Sequence, residues 1–384
     1  MTIPVSKRLT LDSVLVIDTD IHAHESPAEL VPYTDRRWRT AMENLINVPR
    51  RYLDIPGFAP TGEVPSLSSY PASRGQRVEV VSNAAQMSRE LREFGIDVGV
   101  IIPDHFLKIA GIANADWALA IARAYHRWLK ECWVHEENDL YAAIMVVPQN
   151  IDGSIEEIEQ WAGDERFVAV FLPVSEVYPL WGNHKYHRIY EVAQHYNLPV
   201  IMHSVNGLAS SFPFNLEQFY TVYSSHTVSH VFAMMANLMS VMETGVPVRF
   251  PKLRICFQES GLTWVPFMRM RLDKEYNENR SAWAHFDDRP SKWISNFYFA
   301  TQPVEEPENR QDLIDLIRIY KGEDTTVFAS DWPHHDFDHP RAVFNLPVTD
   351  VLKRKFMGAN ALRLMPKIKV PPKYACSYQQ GETL

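Results

Sequence analysis

"VLVIDTDIHAH", residues 14–24, is the stretch from which the architecture is read. Successive strand side chains point to opposite faces, so Asp18, Asp20, His22 and His24 share one side, and Leu15, Ile17, Thr19, Ile21 and Ala23 share the other. An unpaired buried charge is costly, so such a polar row must meet water, opposite charge or a metal ion. No glycine-rich nucleotide turn follows this strand, which counts against an open doubly wound sheet. Seven further short apolar runs follow, at 98–103, 141–148, 168–173, 198–204, 253–260, 296–301 and 326–331. Stretches with apolar residues at three- and four-residue spacing lie between them, at 82–96, 115–138 and 186–197. Eight β units alternating with helices predict an α/β fold, a (β/α)8 TIM-like barrel, with long inserted βα loops at 26–80 and 205–250.

The 384 residues are expected to form one domain, with a barrel core from about 14 to 365 and a polar, proline-rich tail at 366–384 that is either loose or packed on a neighbour. A hydrophobic share of 46% and a charged share of 22% are those of a folded globular chain. The net charge of -9, without a Lys/Arg cluster, excludes nucleic acid and anionic membrane as expected partners, and no run approaches a membrane span. Cys132, Cys256 and Cys376 lie far apart, without disulfide or zinc-ribbon spacing, and no targeting signal is read at the N-terminus. The expected setting is cytoplasmic, the expected partner a small-molecule substrate, and the expected assembly a homo-oligomer, dimer or higher.

Residues that bind metals collect where the predicted strands end. His22 and His24 end the first, His203 the fifth, Glu259 the sixth and Asp331 the eighth. In a barrel these ends converge on one rim, where such enzymes build their sites. Imidazole with carboxylate suits Zn²⁺, Mn²⁺ or Fe²⁺. His334 follows closely and either donates to substrate or stabilises its loop; the same two readings apply to His335. Arg51, with Arg36, Arg37 and Arg50, lies in the first long loop and either clamps a carboxylate or stays solvated. Trp332, with Trp38, Tyr52, Phe58, Phe212 and Phe214, points to an apolar or aromatic substrate, or else packs the long loops.

The segments "DIHAH" (20–24), "PVIMHS" (199–204), "RFPKLRICFQESGLTWVPFMRMRLDKEY" (249–276) and "FASDWPHHDFDHP" (328–340) resemble, in order, those of the amidohydrolase-related family 2 proteins, whose best-known member is aminocarboxymuconate semialdehyde decarboxylase. The resemblance implies a barrel with one divalent ion, Zn²⁺ first and Mn²⁺ or Fe²⁺ next, held by His22, His24, His203 and Asp331. Decarboxylases of that family usually carry a histidine in a G-H-x-G-like turn after the sixth strand. This chain has "QESG" there, with Glu259 at the histidine's place. Some relatives with a similar turn carry a histidine in the helix after the fifth strand, and "HTVSH" offers His226 and His230; the other reading is a helix-surface pair without chemistry.

Hydrolysis is therefore expected: a metal-activated water attacks a small aromatic or apolar carbonyl compound, with Asp331, His230 or His226 moving protons and Glu259 supporting the site. The argument for hydrolysis is electrostatic, because an ionised Glu259 at the rim would repel a substrate carboxylate. The alternative is metal-dependent, non-oxidative decarboxylation of an aromatic or enoic acid. A non-catalytic binding barrel is the third reading.

Overall fold

The computed structural model describes residues 9–46, 81–135, 137–175, 177–204, 222–334 and 336–378. Its eight strands are β1 (Ile17–His22), β2 (Val98–Ile102), β3 (Leu140–Met145), β4 (Phe167–Pro173), β5 (Val200–His203), β6 (Ile255–Gln258), β7 (Tyr298–Ala300) and β8 (Thr326–Val327). They pair in parallel in chain order, and each lies within one residue of the run from which it is predicted. Every residue of these strands is buried, as expected when a sheet has helices outside and packed side chains inside. The backbone after β8 returns to β1. Thr19 N–H donates to the Phe328 carbonyl at 3.1 Å, His22 N–H to the Trp332 carbonyl at 2.8 Å, and Ile21 bridges Trp332. These bonds bring the two ends of the sheet together into a nearly closed barrel.

The main outer helices are α1 (Ala84–Phe94), α2 (Ala115–Cys132), α3 (Ile151–Trp161), α4 (His187–His195), α5 (Val222–Glu243), α6 (Trp264–Glu278) and α7 (Arg310–Ile319). Asparagine starts four of them: Asn83, Asn114, Asn150 and Asn309 each accept a first-turn N–H that would otherwise lack a partner. Gly95, at φ 87°, ends α1 in the left-handed conformation that glycine adopts without strain. Outside the helices, Ile368, Tyr374 and Tyr378 of the tail are buried, and Lys369 N–H donates to the Tyr141 hydroxyl at 3.0 Å. The described part of the tail is thus packed on its own barrel. Among the described residues no helix is long and apolar enough to cross a membrane.

Two features of this frame set the site. First, β1 shifts register between Asp18 and Ile21 and stops at His22, so the alternation expected through His24 does not run its full length. Asp18 turns to backbone, accepting N–H bonds from Ser330 at 2.9 Å and Asp20 at 3.1 Å. Second, α5 is seated by the chain before α4. Trp181 N–H donates to Asn237, Gly182 N–H donates to Ser240 Oγ at 3.1 Å, and a Cβ on Gly182 would stand 2.0 Å from the Ser240 carbonyl oxygen. That close approach requires glycine at 182.

Candidate active site

At the C-terminal ends of β1, β5 and β8, the side chains of Asp20, His22, His203 and Asp331 converge, all essentially sealed from solvent. Both imidazoles are oriented from behind: His22 Nδ1–H donates to the Pro103 carbonyl at 2.9 Å and His203 Nδ1–H to the Ser204 carbonyl at 2.6 Å, so each ring turns its Nε2 inward. His22 Nε2 is 2.9 Å from Asp331 Oδ1, and His203 Nε2 is 3.1 Å from Asp20 Oδ1. One donor atom from each of the four residues lies within 4.8 Å of the others. Two inward imidazole nitrogens and two carboxylates, held by carbonyls behind them, form a set of donors that fits a divalent metal ion.

Asp331 sits at φ 59°, a conformation uncommon outside glycine, and its N–H donates to the Asp20 carbonyl at 3.0 Å. The turn aims its carboxylate at the barrel axis. Burial alone would favour its neutral acid, yet His334 and His22 beside it hold it well below the usual carboxylate range. His334 lies stacked on His22, ring centres 4.0 Å apart, with Nδ1 2.7 Å from Asp331 Oδ1 and Nε2 3.4 Å from Asp104 Oδ1. Burial opposes its charge, but Asp331 and Asp104 push His334 well above the usual imidazole range.

His24 is not among the converging donors. It lies past the end of β1, paired through Nδ1 with Asp104, and Asp20 takes the place expected of it. Asp104 follows the apolar run of β2, so the rule that marked the other strand ends would also have found it. Arg51 falls outside the described residues, as do Arg50, Tyr52, Phe58, Phe212, Phe214 and His335. Trp332 is fully buried at the β8–β1 closure.

Across from Asp331, α5 brings His226 and His230 to Glu259, which follows β6 at φ 58°. The pair is therefore no bare surface feature: His230 is 3% exposed and its Nδ1–H donates to the Glu259 carbonyl at 3.1 Å. Burial holds His230 below the ordinary imidazole range. Burial, helped by Asp331 and Asp20 against the opposing pull of His203, pushes the Glu259 carboxyl well above the carboxylate range.

A family model described as amidohydrolase matches residues 106–367. The chain is similar to gamma-resorcylate decarboxylase of Rhizobium sp. (strain MTP-10005), 24% identical over 67% of this chain and 79% of that protein. It is likewise similar to gamma-resorcylate decarboxylase of Polaromonas sp., 22% identical over 85% of this chain and 98% of that protein. Among solved structures, 5-carboxyvanillate decarboxylase of Novosphingobium aromaticivorans, complexed with manganese and 4-hydroxy-3-methoxy-5-nitrobenzoic acid, superposes with a TM-score of 0.66 at 15% identity, covering 93% of this chain and 99% of that one.

These similarities overturn the expectation of hydrolysis, because the curated relatives that match 67% and 85% of this chain are decarboxylases.

Proposed function

This chain belongs to the amidohydrolase family of enzymes, and within it we propose a metal-dependent decarboxylase acting on a small aromatic carboxylic acid, with an oxygen substituent beside the carboxylate. The observation that carries the reading is the sealed cluster of Asp20, His22, His203 and Asp331 at the barrel mouth of a chain whose relatives decarboxylate such acids. We assign these four residues as ligands of one divalent ion. When bound, that ion supplies positive charge for the substrate carboxylate and its neighbouring oxygen.

The remaining work is proton supply, since loss of carbon dioxide leaves a carbon that must take one proton. His334 holds that proton 2.7 Å from the Asp331 carboxylate, which relays it to the carbon. His334 is in turn linked through Asp104 to His24, which is partly open to solvent, so the chain His24, Asp104, His334, Asp331 runs from the rim to the reacting carbon. Each step is a close histidine–carboxylate contact. His230, His226 and Glu259 lie beside this cluster, while Trp332, buried at the β8–β1 closure, fixes the rim on which Asp331 is carried.

Incubation with a panel of ortho-hydroxybenzoic acids, read by carbon dioxide release, tests the reading. Turnover that disappears on chelation and returns with Mn²⁺ or Zn²⁺ is expected. Ester or amide hydrolysis by the same preparation, with no carbon dioxide from any aromatic acid, contradicts it.

A further inference from the structure

Beside the four-residue cluster lies a second set of donors. His226 and His230 are one turn apart on α5, their ring centres 4.6 Å from each other. With Glu259 they each offer a ligand atom within 4.8 Å of the other two, and Asp336 Oδ2 stands 3.4 Å from His226 Nε2. Three parts of the fold therefore meet here: a helix, the end of β6 and the loop after β8.

Two of the atoms make no hydrogen bond among the described residues. Because His230 Nδ1–H is given to the Glu259 carbonyl, its Nε2 carries a lone pair, and this buried nitrogen has no hydrogen-bond partner. Glu259 Oε2 is likewise buried without a hydrogen bond. Buried polar atoms are normally paired, so each such exception needs a reason. His126 shows the ordinary case in this protein: Nδ1 meets Glu157 at 2.8 Å and Nε2 accepts the Met145 N–H at 2.8 Å, leaving neither nitrogen free. Glu259 is also held at φ 58°, as Asp331 is at 59°, and strain of this kind concentrates where function maintains it.

We propose that His226, His230 and Glu259, with Asp336 alongside, hold a second divalent transition-metal ion next to the first. Two imidazoles with carboxylate oxygen suit Mn²⁺, Zn²⁺ or Fe²⁺. Glu259, Asp331 and His334 also lie within 4.8 Å of one another, and Glu259 Oε2 is 3.3 Å from His203 Nδ1, so the two centres adjoin. A second dication there makes that side of the pocket attractive to an anionic substrate. The inference rests on the donor geometry and stands apart from the reaction assigned above.

The test is metal stoichiometry. The full chain is stripped with chelator, loaded with Mn²⁺ and desalted, and manganese is measured per chain. About two ions per chain are expected in the wild type, about one in the double variant His226→Asn/His230→Asn, and about one in His203→Ala, where only the first centre loses a donor. At low temperature the wild type should give the exchange-coupled electron paramagnetic resonance lines of adjacent Mn²⁺ ions, and both variants the signal of an isolated ion. Should the double variant fail to fold, His226→Asn alone, at a partly exposed position, takes its place with the same readings. About one ion per chain in the wild type, or two retained without the α5 histidines, overturns the proposal. Either result leaves the carbon dioxide assay, and hence the reaction assignment, untouched.

Discussion

Replacing Asp20 with alanine removes one donor from the first cluster and leaves the others where they are. His22 stays anchored by the Pro103 carbonyl and His203 by the Ser204 carbonyl, and the Asp331 N–H still meets the Asp20 backbone oxygen. The loss is therefore local. Mutating a residue that merely orients a metal ligand costs about 10- to 100-fold in affinity, so losing a donor that faces the ion should cost at least about 100-fold. That corresponds to about 2.8 kcal/mol, at about 1.4 kcal/mol per tenfold change. His24→Ala behaves differently, because His24 reaches the cluster only through Asp104 and His334. Its effect on affinity should stay below about tenfold, less than the loss of a residue that orients a ligand directly. Competition against a chromophoric chelator, with circular dichroism to confirm the fold, measures both. Wild-type affinity in Asp20→Ala together with a large loss in His24→Ala would refute the donor assignment.

Other outcomes follow from the same contacts. His334→Asn keeps the ligands but removes the partner of Asp331, so turnover should fall about 100-fold while metal content, measured by mass spectrometry, is unchanged. In the metal-free protein burial disfavours a charged His203, but Asp20 and Glu259 outweigh this and push it up to about 9. Because the folded value lies above the unfolded one, its contribution to stability is complete below about pH 6.5 and lost as pH rises through about 9, and denaturant titration of the stripped protein should show that fall. Metal binding must displace that proton, so apparent affinity should climb with pH over the same window, as read by the chelator assay. Gly182→Ala drives a Cβ into the Ser240 carbonyl and lifts α5, which should cost about 1–3 kcal/mol in thermal or chemical unfolding.

All eight strands were legible because each is a short apolar run between helical stretches, and because a parallel barrel buries both faces of its strands. The rim residues were legible for a related reason: an apolar run that ends in His203 or Asp331 announces a polar group at the barrel mouth. His24 stands apart from the four converging donors because strict alternation assumes an unbroken strand, whereas β1 shifts register after Asp18 and ends at His22. The pairing of Asp104 with both His24 and His334 joins residues up to 230 positions apart, and no local pattern encodes it. The charge state of Glu259 was hidden for a different reason. It depends on burial and on the neighbouring Asp331 and Asp20, which only the folded chain supplies, and the choice of reaction had been made to rest on it.

The central claim is that the buried Asp20, His22, His203 and Asp331 centre removes carbon dioxide from an aromatic acid and gives a proton to the vacated carbon. Turnover of the best substrate by metal-loaded protein in deuterated, ¹⁸O-enriched water tests it most directly, with the product read by mass spectrometry and nuclear magnetic resonance. Decarboxylation gives one carbon dioxide per substrate consumed, one deuterium at the carbon that bore the carboxylate, and no ¹⁸O in the aromatic product. A product carboxylate carrying ¹⁸O, formed without carbon dioxide, would contradict it.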